Sequence, residues 1–177
     1  AIVVGTISED SRMRRFCRLR AESMRDSWKT WQHIEPRFFM DTGITDEQIR
    51  SYSLLLYGGP DENLVTRKLM EHIPLKIEPD KITISGETFN ARDASVSMIY
   101  PHPLNPERYV TIAAGNSSTG MFYTDRLPGY FDFNIAEARV IGGESGTTFE
   151  EGCIVAGYFD HNWQYNEKYA MRGKPAV

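Results

Sequence analysis

The chain has 177 residues, 41% hydrophobic and 12% aromatic, which excludes a disordered segment and suits one domain with a sizeable core. Its formal net charge of −4 gives no general attraction for nucleic acid or anionic membrane. No apolar run approaches the ~20 residues of a membrane-spanning helix, and two cysteines, Cys17 and Cys153, are too few for a disulfide framework or a Cys-rich metal motif.

The first element, "AIVVGT", reads as a buried strand ended by glycine. It starts at Ala1 with no initiator Met and no signal peptide, so the chain is expected to be part of a longer protein, with Ala1 at a face joined to an upstream domain. Next, Met13, Cys17, Ala21, Met24, Trp28 and Trp31 recur at spacings of three or four, one apolar stripe on a long helix. Ser8 or Asp10 is its candidate N-cap, and Pro36 lies beyond its end. "RFFM" is a second strand, "TDEQ" from Thr45 has capping-box spacing for a short helix, and "SLLLYGG" is a third strand. "DENLVTRKLMEHI" is a helix closed by Pro74.

The second half changes character. "LKIEPDKITISGETFNA" alternates between turn signals at Pro79-Asp80 and Ser85-Gly86, which predicts short antiparallel strands. "ASVSMIY" and "RYVTIAAG" are further strands, "STGMFYTDRL" a helix, and strands follow near "YFDFN" and "CIVAGYF". The pattern predicts a Rossmann-like three-layer α/β sandwich, with a parallel β-α-β-α-β-α half followed by an antiparallel strand-rich half. Residues 1–165 form the single domain and residues 166–177 a polar, peripheral tail.

Between two of the later strands runs "YPHPLNPERYV", with three prolines in six positions. Each fixes its own φ near −65° and pushes the residue before it out of the helical region. The loop is therefore a pre-shaped connector. Its simplest purpose is rigidity; the sharper one is a docking surface of His102, Asn105, Glu107 and Arg108 for another domain or a glycan.

In a parallel α/β sheet, ligands bind beyond the carboxyl ends of the strands. Those ends carry Thr6, Asp41 and Thr42, then Gly58, Gly59 and Asn63, then Asn116 and Ser117, which make the candidate ligand site. Tight strand-to-helix turns with a capping side chain account for the same residues. Neither G-x-G-x-x-G nor G-x-x-x-x-G-K-[ST] occurs, so no nucleotide cofactor is expected. "GNSST" is one residue short of a nucleophile elbow: Ser117 would attack, Asp125 or Asp132 would orient, and His161 would act as base. Thr119 stands where the second glycine belongs, and a serine-capped turn explains the stretch more simply. The histidines form no metal signature, with His33 and His72 near helix ends. Tyr158, Phe159, Trp163 and Tyr165 are read either as a carbohydrate platform or as aromatics that tie the terminus down.

"YPHPLNPERYVTIAAG", "SLLLYGGPDEN" and "AGYFDHNWQ" resemble the C-terminal domain of large, mostly secreted bacterial α/β-hydrolase proteins, the prolyl-oligopeptidase-like peptidases and esterases. The resemblance runs from "AIVVGT" to about Gln164, and "YPxPLNPxRYV" is its most specific part. It implies an accessory Rossmann-like domain beside an upstream hydrolase domain of the same polypeptide, in a secreted or periplasmic protein. In such proteins the nucleophile lies upstream, so no catalytic residue carries over to this chain. A carbohydrate or other small-molecule ligand is the further expected partner. The alternatives are a stand-alone serine hydrolase and a small-ligand-binding domain.

Overall fold

The computed structural model describes residues 1–142 and 149–173. The protein is mixed α/β, with an eight-stranded mixed sheet and a small three-stranded sheet. The large sheet has the order β11-β10-β9-β7-β8-β3-β1-β2. Its strands are β1 (Ile2–Val4), β2 (Phe38–Met40), β3 (Leu54–Tyr57), β7 (Ala94–Pro101), β8 (Tyr109–Gly115), β9 (Phe133–Glu137), β10 (Cys153–Phe159) and β11 (Tyr165–Arg172). β2, β1, β3 and β8 run parallel, and from β8 outward every pair is antiparallel. β4 (Leu75–Glu78), β5 (Lys81–Ile84) and β6 (Glu87–Asn90) form the small sheet. Its two turns fall where Pro79-Asp80 and Ser85-Gly86 stand, as expected.

The parallel strands are buried on both faces, so each sends alternate residues into different cores. Val3, Leu54, Leu56, Val110 and Ile112 join a core with Val65 and Leu69 of α3 (Leu64–Leu69) and with Ile82 and Ile84 of the small sheet. Ile49 of α2 (Asp46–Ser51) packs there too. Ile2, Val4, Tyr57 and Ala113 join the other core, under Met13, Cys17 and Ala21 of α1 (Ser11–Ser27) and Met121 of α4 (Ser118–Phe122).

The helix signals translate closely. Asp10 caps α1 by accepting from Arg12 N. The capping box at Thr45 and Gln48 forms with both of its bonds. The apolar stripe on α1, however, outruns the sheet beneath it. Trp28 and Trp31 lie on a wider π-type turn, Trp28–Gln32, and are 42% and 76% exposed. α3 begins at Leu64 rather than at Asp61, because Asn63 caps it and leaves the preceding residues to the loop.

The expected polar tail is corrected more substantially. Residues 165–172 form β11, which pairs with β10 and completes one edge of the large sheet. Its polar, mostly exposed residues suit an edge strand, where only one side is paired and charge discourages further pairing. Two further short helices, α5 (Ala138–Ile141) and α6 (Phe149–Gly152), lie between β9 and β10. Among the described residues, no helix is long and apolar enough to cross a membrane.

Candidate functional site

The structure sets the strand-end residues at the carboxyl ends of the parallel strands, as the topology requires, and engages Thr6, Asp41, Asn63, Asn116 and Ser117 in hydrogen bonds within the protein. Thr6 Oγ1 donates to Asp41 Oδ1, and Asp41 Oδ2 accepts from Leu64 N at 2.9 Å. The Asp41 carboxylate, 4% exposed, thus serves the first turn of α3. Asn63 is fully buried. Its Oδ1 accepts from Val65 N and Thr66 N, and its Nδ2 donates to Val3 O and Tyr57 O. One side chain therefore caps α3 and ties it to the ends of β1 and β3. Thr42 is exposed in the turn after β2.

The loop from Gly58 to Asn63 folds back over the strand ends, and Ile7 N donates to Glu62 O. Gly58 has φ +107°, and a Cβ there would meet Glu62 Cβ at 2.8 Å. Here the backbone is tight and left-handed because the protein packs against itself. Glu62 lies half-buried at the strand ends, beside the crevice where a ligand was expected. Burial, then the charge of Asp61, raises its carboxyl to about 7. Beside it Cys17 is buried, and burial followed by the charges of Glu62 and Asp41 pushes its thiol up to about 12. That thiol is not a nucleophile at neutral pH. What remains open beside Glu62, Pro79 and Asn116 is a cavity of about 80 Å³.

Asn116 and Ser117 are equally committed. Asn116 Oδ1 accepts from Ala94 N, and its Nδ2 points to the carbonyls of Glu78, Pro79 and Ala91. It stitches the small sheet to the large one. Ser117 caps α4 by accepting from Gly120 N at 3.0 Å. The glycines of this stretch serve helix–sheet contact: a Cβ on Gly115 would meet Met121 N at 2.1 Å, and one on Gly120 would meet Ala94 O at 2.1 Å.

The catalytic alternative does not assemble. Ser117 follows the carboxyl end of β8. His161 lies in the turn between β10 and β11, at the opposite end of the sheet, because β10 runs down where β8 runs up. Asp132 stands at that lower end and accepts from Phe159 N, while Asp125 pairs with Arg20 at 2.7 Å. His161 is exposed and contacts Asn162. The sequence pattern set these residues in the right order without placing them in one place. Among the described residues, no group of three or more His, Cys, Asp or Glu side chains could hold a metal ion.

The proline loop also lies at the lower end, and three of its four candidate docking residues hydrogen-bond the carbonyls that end α2, though of these only His102 is buried and Arg108 stays exposed. His102 is 2% exposed; its Nε2 donates to Ile49 O at 2.8 Å and its Nδ1 accepts from Leu104 N. Asn105 donates to Arg50 O and Arg108 to Ser51 O. Three successive carbonyls at the C-terminus of α2 are thus satisfied by one loop. Glu107 remains exposed. Nearby, Trp163 packs on Tyr100, Tyr109 and Phe159, and Tyr165 on Phe89 and Phe133. These aromatics fasten the last hairpin to the body; Tyr158 alone of the four is largely exposed, beside Phe131.

A larger space lies elsewhere, between α1 and the face of the large sheet. It is a cavity of about 420 Å³ whose floor is Leu55, Tyr57, Ser97, Thr111 and Ala113. Arg20, Ser23, Met24 and Ser27 of α1 make one wall, and Asp125, Leu127 and Gly129 the other. Sequence reasoning passed over it, although Ser97 and Thr111 were visible as polar residues inside otherwise apolar strands. No known protein-family model and no curated protein matches this chain.

Proposed function

We propose that this chain is a non-catalytic accessory domain that docks on or serves an α/β-hydrolase domain of the same polypeptide, in a secreted or periplasmic protein of the kind it resembles. Its fold is read as a Rossmann-like three-layer sandwich. Packing of α1 and α4 on one sheet face, and of α2, α3 and the small sheet on the other, supports that reading. The observation that carries the non-catalytic assignment is the separation of Ser117 from His161 and Asp132, at opposite ends of the large sheet. A triad needs its members within hydrogen-bond reach. Asp41, Asn63, Asn116 and Ser117 are occupied in holding loops and helix ends, which supports a structural role for the strand-end motifs.

The chain is expected to leave p-nitrophenyl acetate and butyrate unhydrolysed above buffer, with Ser117→Ala indistinguishable from wild type. Turnover lost in Ser117→Ala would overturn the assignment. The coding sequence immediately upstream of Ala1 tests the link to a hydrolase, with an in-frame domain carrying G-x-S-x-G expected. A second reading, a small-ligand-binding domain, is favoured by the cavity beneath α1.

A further inference from the structure

The cavity beneath α1 has a floor of unusual character for a surface buried under a helix. Register places Tyr57, Ala113 and Ser97 side by side across β3, β8 and β7, with Leu55 beside Thr111 in the next row. Tyr57 is 4% exposed and Ser97 and Thr111 are half-buried; no described residue hydrogen-bonds to their hydroxyls, which are not sealed in the core but open into the cavity they line. Hydroxyls that open into a cavity are met by water, which a ligand bringing matching hydroxyls of its own can replace. Next to Ser97, in register on β9, Asn134 is fully buried and its Oδ1 also has no partner.

The helix above does not fill the space. Arg20, Ser23, Met24 and Ser27 recur at the spacing of one helix face, and the two serines leave room that leucines would occupy. The charged groups at the rim compensate each other: Arg20 Nη1 meets Asp125 Oδ2 at 2.7 Å, and Arg20 Nε donates to Phe122 O. An incoming anion would compete with Asp125, and an incoming cation with Arg20. Hydroxyls that both donate and accept, with Met24 and Leu55 offering apolar contact, match a molecule whose own hydroxyls do both and whose C–H face is apolar.

We infer that this cavity is a binding site for a neutral, polyhydroxylated small molecule of about monosaccharide size, held by the hydroxyls of Tyr57, Ser97 and Thr111. A volume of about 420 Å³ accommodates such a ring with water to spare. The inference is independent of the link to a hydrolase and extends the ligand-binding reading to a defined place and chemistry.

The test is an amide-resolved NMR titration of the whole chain with D-glucose, D-galactose, D-xylose, N-acetyl-D-glucosamine and myo-inositol. At least one should cause saturable shifts centred on Tyr57, Ser97, Thr111 and Gly129. Tyr57→Phe and Thr111→Val should each weaken that binding by roughly threefold to tenfold, as expected for one lost hydrogen bond. Ser23→Trp, at an exposed helix position, should block the cavity and abolish the shifts while the rest of the spectrum stays native. Absence of saturable shifts with all five compounds overturns the inference. So do shifts that survive in Ser23→Trp, and so does tighter binding of D-glucuronate than of D-glucose.

Discussion

Asn63 and Asn116 show how much a single amide can organise. Each accepts a backbone N–H through its oxygen, a local one for Asn63 and that of Ala94 for Asn116, and donates through its nitrogen to carbonyls of other elements. For Asn63 the cap was legible, because an Asn before an apolar helical run is a known N-cap signal. Its donors were not, since Val3 is remote in sequence and meets Asn63 only once β1 and β3 pair. Asn63→Ala would remove the cap and take one donor from each of two buried carbonyls, Val3 O and Tyr57 O, the latter keeping its bond from Gly5 N. A loss of about 2–4 kcal/mol in urea unfolding is expected. Thr42→Ala, at an exposed turn position of the same candidate site, should change stability by less than about 0.5 kcal/mol. Equal costs at the two positions would mean that the strand-end hydrogen bonds are not what holds the loop.

A six-residue helix such as α2 is too short to be stable alone. Its start is closed by the Thr45–Gln48 box and its end by the proline loop, which offers His102, Asn105 and Arg108 to three consecutive carbonyls. The stiffness of that loop was legible from its prolines; the direction in which it points was not, because its target is a different element. His102 makes this arrangement sensitive to acid. Its Nδ1 accepts from Leu104 N, so a second ring proton has nowhere to go, and burial lowers its pKa from 6.5. With the folded value below the unfolded one, the unfolded chain takes up the proton first. His102 therefore favours the fold fully above pH 6.5 and loses that contribution as pH falls toward the folded value. Glu62 acts in the opposite sense: its carboxyl rises from 4.5 to about 7, so it disfavours the fold as pH climbs through that window. The difference in unfolding free energy between wild type and His102→Gln isolates the histidine. It should shrink as pH falls from 7.5 to 5.5, by at most about 1.4 kcal/mol per pH unit. A difference constant with pH would place the protonation elsewhere.

For the molecule as a whole, the alternation of strands and helices in the first half was readable because apolar runs, caps and glycines agreed with one another. The second half was harder. β11 has no long apolar run: Tyr165, Tyr169, Ala170 and Met171 are mixed with charged and amide residues that an edge position tolerates, and periodicity says little about such a strand. The small sheet was legible as strands and turns but not as a separate sheet, since nothing local reports that Asn116 and not a β-ladder joins it to the rest. A chain ending at Gln164 checks the place of β11. It would uncover the edge of β10 and remove Tyr165 from Phe89 and Phe133. Association on size-exclusion chromatography and a lower melting temperature are expected. A monomer with native stability would show that β11 contributes nothing to the fold.

The position of β8, with a parallel neighbour on one side and an antiparallel neighbour on the other, has a kinetic corollary. β7 and β8 are joined by a loop already stiffened by proline, so their pairing closes a short loop at little entropic cost. β1, by contrast, must wait for β3, as Ile2 pairs with Leu55, and β3 in turn pairs with β8, as Leu54 meets Val110. Ile2, Val3 and Val4 have no partner strand until β2 and β3 follow them, and β3 has no neighbour on its other side until β8 follows, a sequence separation that slows folding and leaves apolar surface for a chaperone to cover.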